Sequence, residues 1–151
     1  MEMGVVLGAA GAVIAFGGAG LGSAIALGMA GQAAAGVIAE DSRKFGQTLV
    51  LQAVGTTNGI YGLLIAFLIL NKALLVTDVS TGLFLLASGI PMGLVGGVAA
   101  VAQGKTMVTG IILIGKKPSE LAKALIFAVM VETYALFSLL VSFLMYSSIN
   151  P

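Results

Sequence analysis

The sequence predicts an all-α membrane protein with four transmembrane helices arranged as two tandem duplicated hairpins. Three observations point there. The 151 residues are 59% hydrophobic and only 9% charged, whereas a soluble domain carries about 25% charged residues. The apolar residues fall into runs long enough to cross a bilayer, separated by short polar breaks. The chain, slid along itself, also repeats: Arg43-Lys44 pairs with Lys116-Lys117, Tyr61 with Tyr134, Leu63 with Leu136, Gly20 with Gly93 and Gly31 with Gly104.

The first run spans about Gly4 to Ala39 and stops at Glu40-Asp41-Ser42-Arg43-Lys44. The opening Met1-Glu2-Met3-Gly4 lacks the basic stretch of a cleaved signal peptide, so this run is expected to be a retained span. The second covers about Gln47 to Leu70 and stops at Asn71-Lys72; a loop with Thr77-Asp78-Val79-Ser80 precedes the third, about Thr81 to Ile114. Pro91 is expected to kink the third helix, because it has no N–H for the carbonyl of Ala87, and neighbouring helices must cover the break. Lys116 and Lys117 suit the negative C-terminal pole of that helix. Pro118, Ser119 and Glu120 form a helix start for the fourth span, about Ser119 to Ser147. The halves divide into residues 1–73 and 74–151.

The first and third runs exceed the roughly 20 residues that a bilayer requires, so they tilt or project beyond its cytoplasmic face. Arg43, Lys44, Lys116 and Lys117 all sit on the loops joining the first span to the second and the third to the fourth. The positive-inside rule puts those loops in the cytoplasm, with both termini and the middle loop outside. The 22 glycines are concentrated in the first and third runs. Gly18/Gly22, Gly55/Gly59 and Gly93/Gly97 are spaced to let helix backbones approach closely in lipid. A helix lined by Gly17-Gly18-Ala19-Gly20-Leu21-Gly22-Ser23-Ala24 needs tight neighbours on several sides, a condition met by the inner helices of a closely packed ring.

Composition also excludes. The net charge of +1 argues against a nucleic-acid surface. The absence of Cys and His removes thiol chemistry, disulfides and the usual transition-metal sites. The absence of Trp removes an indole belt at the membrane interfaces. No Gly-rich segment follows a strand, so a nucleotide-binding loop is not supported.

Glu132 is the carboxylate that falls in the middle of an apolar stretch, Leu121 to Tyr146. A charge at the bilayer centre costs roughly 2.5–3.5 kcal/mol on insertion scales, so such a residue is read first as functional. Its counterpart in the first half is Gly59: one hairpin carries the carboxylate and its twin does not. At about 1.5 Å of rise per residue, Glu132 lies about 21 Å beyond Pro118, while Asn58 and Gln103 each lie about 18 Å from Gly46 and Gly115. Thr57 and Tyr61 flank Asn58 on its helix. Three helices therefore bring oxygen-bearing side chains to nearly one level. Alone, a buried Asn or Gln usually makes an interhelical hydrogen bond. With a carboxylate at the same depth, the set is all-oxygen, as a hard cation prefers, and its single charge suits an alkali ion better than Mg²⁺ or Ca²⁺. H⁺ is the other cargo, because desolvation favours a protonated carboxyl group. Tyr61 and Tyr134 either hydrogen-bond to the carboxylate or pack, and Lys105 and Lys123 are read as snorkelling or solvated.

Val54-Gly55-Thr56-Thr57-Asn58-Gly59-Ile60-Tyr61-Gly62, Ala102-Gln103-Gly104-Lys105 and Met130-Val131-Glu132-Thr133-Tyr134-Ala135 closely resemble the rotor-ring proteolipids (subunit K) of bacterial V-type sodium ATPases. The resemblance covers essentially the whole chain. It implies a homo-oligomeric rotor ring in a bacterial plasma membrane, whose non-catalytic protomers carry Na⁺ (or H⁺) during ATP-driven rotation. It also implies a cation site at Glu132, Gln103, Thr57, Asn58, the carbonyl of Val54, and Tyr61. The implied partners are further copies of the chain, lipid, a stator subunit with an essential Arg, and central-stalk subunits at the cytoplasmic loops. Asn58 stands where the sodium-binding members carry Gln, and Gly55 where they carry Pro. A small proton-coupled secondary transporter is the competing class; it predicts an inverted repeat or an aromatic-lined cavity, whereas this repeat is parallel.

Overall fold

A computed structural model describes residues 2–149; Met1, Asn150 and Pro151, the outermost residues of the two predicted outward-facing termini, lie outside that range. The described chain is helical, with no strand: α1 (Met3–Glu40), α2 (Phe45–Val54), α3 (Thr57–Ala73), α4 (Val79–Pro91), α5 (Gly97–Lys116) and α6 (Leu121–Ser147). Four stretches are long and apolar enough to cross a membrane: Met3–Glu40, Ser42–Ala73, Val79–Lys116 and Pro118–Ser147. The second and third expected helices are each interrupted. The second breaks at Gly55 and Thr56, between α2 and α3, and the third passes through a π-helical turn at Met92–Gly96.

Pro91 explains the second of these. It ends α4, and the next N–H, that of Met92, donates to Ser142 Oγ of α6 at 3.0 Å. The expected kink is thus a widened turn at which the Met92 N–H is shared between the Gly89 carbonyl of its own span and a hydroxyl of the neighbouring helix.

Small residues set the packing. The buried face of α1 consists of Gly4, Gly8, Gly11, Ala12, Ala15, Ala19, Gly22, Ser23, Ala26, Ala30 and Ala34. Their three- and four-residue spacing forms one stripe, against which α3, α4 and α5 pack, while α6 packs on α4 and α5. Contact is backbone to backbone: a Cβ on Gly11 would lie 2.6 Å from the Leu85 carbonyl oxygen and 2.7 Å from Leu86 Cα. Two apolar clusters result. One gathers Ala12, Ala15, Ala19, Ile65, Ile69, Leu85 and Met92; the other gathers Ala26, Ala30, Leu51, Met107, Ile111 and Ala128. Between them, on four spans, lie buried Ser23, Asn58, Gln103 and Glu132. Large apolar side chains such as Val13, Leu21, Val98, Phe127 and Phe137 are exposed on the outside of the bundle, a surface suited to lipid or to a further copy of the chain.

The basic loops are stitched together. Lys44 Nζ donates to the Gly115 carbonyl, and Gln47 Nε2 to the Pro118 carbonyl at 3.2 Å. The carbonyl end of α5 therefore draws a cation from the opposite loop, in addition to Lys116 in its own last turn. Lys123, 70% exposed, pairs with Glu120 at 2.5 Å, and Lys105 is exposed. At the other end of the bundle, Lys72 Nζ donates to the carbonyls of Ile149 and Tyr146 and lies 4.7 Å from the centre of the Tyr146 ring.

Candidate cation site

Helical periodicity aims Glu132 inward. The buried face of α6 reads Ala124, Ala128, Glu132, Ala135, Ser138 and Ser142, a stripe of small residues with one carboxylate in it. That places Glu132 against its neighbours rather than on the lipid side, and it is 8% exposed. Tyr61 Oη, from α3, donates to Oε1 of Glu132 at 3.0 Å. Gln103 Nε2, from α5, donates to Oε2 of Glu132 at 3.4 Å and to the Ala128 carbonyl at 3.2 Å. Asn58 Nδ2 donates to Oε1 of Gln103 at 2.7 Å. Tyr61 lies one turn beyond Asn58 on α3, so both face the same neighbour.

Four of the six residues singled out by sequence thus form one hydrogen-bonded chain: Asn58, Gln103, Glu132 and Tyr61. The other two form a second group at the helix break, where Thr57 Oγ1 donates to the Val54 carbonyl at 2.8 Å. Tyr134 takes the packing role. It is 63% exposed and meets Phe137 edge-on with ring centres 6.1 Å apart.

Two features give this layer its chemistry. Among the described residues, ion pairs join Asp41 to Arg43 and Lys44, and Glu120 to Lys123; none involves Glu132. Asn58 Oδ1 is the one buried side-chain nitrogen or oxygen among them without a hydrogen-bond partner, a state that costs about 1–3 kcal/mol. No group of three or more acidic, His or Cys side chains that could hold a metal occurs among them. The layer offers oxygens and one charge, which is the chemistry of a proton or an alkali ion rather than of a divalent or transition metal.

Sequence inspection missed Ser23. Its hydroxyl, from α1, donates to the Gly55 carbonyl and accepts the Gly59 N–H at 3.3 Å. The available signal was its position: a hydroxyl in a run of Gly and Ala, close in depth to Asn58.

The family model for the C subunit of ATP synthase matches residues 10–69 and matches again over residues 86–145. The chain belongs to the ATP synthase C-subunit family. It is 43% identical over 126 residues to the V-type sodium ATPase subunit K of Enterococcus hirae, an alignment covering 83% of this chain and 81% of the relative. It is 40% identical over 141 residues to the A-type ATP synthase subunit K of Methanocaldococcus jannaschii, covering 93% of this chain and 62% of that relative. The expected fold class and resemblance hold: this is an integral membrane proteolipid of the V/A-type ATPase group, non-catalytic and from a family that forms rotor rings.

Proposed function

We propose that this C-subunit family member is the rotor proteolipid of a V-type pump in which Glu132 takes up one cation per protomer, Na⁺ as the favoured cargo and H⁺ as the alternative. One observation carries the proposal: a carboxylate only 8% exposed, held by Tyr61 and Gln103, has no Lys or Arg partner among the described residues. A buried charge without a counterion is costly. A mobile cation supplies the missing charge and makes the loaded carboxylate neutral enough to pass through lipid.

The halves, residues 1–73 and 74–151, are then tandem copies of one hairpin, of which the second keeps the carboxylate. Each turn of the ring brings Glu132 to a half-channel in a stator subunit, whose Arg displaces the cation on the far side. The loops bearing Glu40, Asp41, Arg43, Lys44, Lys116 and Lys117 face the cytoplasm of a bacterial cell and meet the central stalk. One carboxylate per four spans means fewer ions per turn for a given circumference. More free energy from ATP is then available per ion, against about 2.3 kcal/mol for each charge moved through 100 mV.

Na⁺ is favoured by the Enterococcus hirae relative's description and by the number of oxygens nearby. Asn58 Oδ1 and the Gln103 amide exceed what a proton needs. The Val54 carbonyl and Thr57 hydroxyl, bonded to each other at the helix break, would join them by turning toward Glu132. For Na⁺, Gln103 turns its amide over so that Oε1 faces Glu132. Asn58 then turns as well, and its orphaned Oδ1 accepts from Gln103 Nε2. Asn58 is one methylene shorter than Gln, a gap that a water spans. H⁺ needs none of this rearrangement.

Carbodiimide labelling of the purified complex across pH, with and without Na⁺, tests the proposal. Labelling at Glu132 that Na⁺ suppresses supports sodium. Labelling that responds to pH and not to Na⁺ makes the cargo H⁺. ATP-driven transport that survives Glu132→Gln removes the site altogether.

A further inference from the structure

Resting on the cation-site proposal above, we infer that Ser23 is a positioning residue of that site, and that position 59 is glycine so as to admit it. The Ser23 side chain is buried, 5% exposed. Its hydroxyl stands between two groups of the second span, donating to the Gly55 carbonyl and accepting from the Gly59 N–H at 3.3 Å. Those two groups are the ones an unbroken α-helix joins directly, N–H of residue i to carbonyl of residue i−4. A side chain inserted into that ladder is one of the few established causes of a sharp helix distortion.

The distortion lies at the same place. α2 ends at Val54 and α3 begins at Thr57. Across the gap, the N–H groups of Gly55 and Thr56 make shortened turns to the carbonyls of Gln52 and Ala53, each at 3.1 Å. Thr57 Oγ1 reaches back to the Val54 carbonyl at 2.8 Å, and Asn58 and Tyr61 follow in the first turns of α3. One hydroxyl from α1 thereby sets where α3 starts. Through that start it sets how Val54, Thr57, Asn58 and Tyr61 stand against Gln103 and Glu132.

Gly59 is part of the same device. A Cβ there would lie 3.2 Å from Ser23 Cβ and 3.4 Å from its Oγ, tight enough to move the Ser23 side chain by a few tenths of an ångström. That movement would lengthen the bond that its hydroxyl accepts from the Gly59 N–H, already 3.3 Å. Between the two halves of the repeat, Gly59 stands opposite Glu132, and Ser23 opposite Gly96. The first hairpin therefore has a wedge and a glycine where the second has a glycine and a carboxylate. The half without the carboxylate is the frame for the half that has it.

The test uses the purified ATPase complex, with carbodiimide labelling of Glu132 titrated by Na⁺ at fixed pH and by pH without Na⁺. Ser23→Ala is expected to raise the half-protecting Na⁺ concentration on the order of tenfold, or to move the pH midpoint by about one unit if the cargo is H⁺. Ser23→Thr keeps the hydroxyl and stays near the unsubstituted protein. Gly59→Ala shifts in the same direction as Ser23→Ala and adds little to it in the double variant, because both act on one contact. A role confined to bundle packing would lower ring stability and leave these titrations unmoved; that result overturns the inference. If the Ser23→Ala ring does not assemble, Gly59→Ala decides, and an unshifted titration there overturns it equally. Labelling of the unsubstituted protein that ignores both cations removes the site proposal and this role with it, whereas a protected parent and an unshifted Ser23→Ala removes the role alone.

Discussion

Asn58 donates its Nδ2 to Oε1 of Gln103 at 2.7 Å, and that bond decides which end of the Gln103 amide meets Glu132. With Oε1 occupied, Gln103 presents Nε2 to the carboxylate at 3.4 Å. Asn58→Gln lengthens the side chain that must follow when the Gln103 amide turns over. It is expected to lower the Na⁺ concentration that half-protects Glu132 from carbodiimide. Asn58→Leu removes the donor and leaves a fully buried amide oxygen on Gln103 unpaired, which costs about 1–3 kcal/mol. Its ring is expected to dissociate at a lower temperature and to respond less to Na⁺. Unchanged titrations in both variants would place Asn58 outside the site.

Tyr61→Phe removes the 3.0 Å hydrogen bond to Oε1 of Glu132 while keeping the ring that fills the space. Hydrogen bonds to charged groups contribute about 1.5–3 kcal/mol. The variant is therefore expected to retain transport at a reduced rate and to show altered cation affinity at Glu132. Tyr134→Phe is the control, since Tyr134 is exposed and packs on Phe137. Equal effects of the two substitutions would contradict the assignment of Tyr61 to the carboxylate.

The four spans were legible because apolar runs and charged breaks alternate sharply, and because Pro118 marks a helix start by local chemistry. The third span starts at Val79 rather than Thr81, because Asp78, read as part of a loop, caps it by accepting the Thr81 N–H. The polar layer was legible because helical rise is constant, so Asn58, Gln103 and Glu132 could be levelled by counting from the loops. What was hidden was tertiary. The break after Val54 is completed by a hydroxyl on α1, and in sequence Ser23 reads as one more small residue in a stripe. Pro91 announced a kink, but neither its form as a π-helical turn nor the bond from the Met92 N–H to Ser142 Oγ of a distant span was readable from local sequence. Lys116 and Lys117 were expected to serve the end of their own helix, yet Lys44 reaches the Gly115 carbonyl from the other loop.

Two loop carboxylates at the protein surface, Asp78 and Asp41, make a small acid-dependent contribution to the stability of the bundle. The Thr81 N–H, donating to Asp78 at 2.8 Å, holds that carboxyl below its ordinary range. Asp41 is lowered likewise, first by the side-chain hydrogen bond from Arg43 and then by the Arg43 N–H. Because the folded-state values are depressed, the stabilisation is fully present above the ordinary carboxylate pKa of about 4 and is lost as pH falls through the depressed values. Thermal melting of the ring is expected to be level from neutral to about pH 5 and to decline below it. Asp78→Asn combined with Asp41→Asn, which keeps acceptors without titrating, is expected to flatten that decline. An unchanged acid slope would assign it to other groups.

Glycines that carry the packing differ from those that do not, and alanine separates them. A Cβ on Gly11 would meet the Leu85 carbonyl oxygen at 2.6 Å, and one on Gly104 would meet Ala26 Cα at 2.6 Å, whereas one on Gly36 meets nothing within 4 Å. The first two contacts are backbone to backbone, so no rotamer change relieves them and the helices must separate. Overpacking of this kind costs about 1–3 kcal/mol, and helix propensity returns at most about 1 kcal/mol. Gly11→Ala and Gly104→Ala are therefore expected to lower the melting temperature of the purified ring, while Gly36→Ala holds or raises it. Gly36 also reports on assembly: within one copy its surroundings are open, so a destabilising Gly36→Ala would place a second copy against that face. Gly11→Ala melting with the parent would mean that α1 and α4 do not pack by backbone contact.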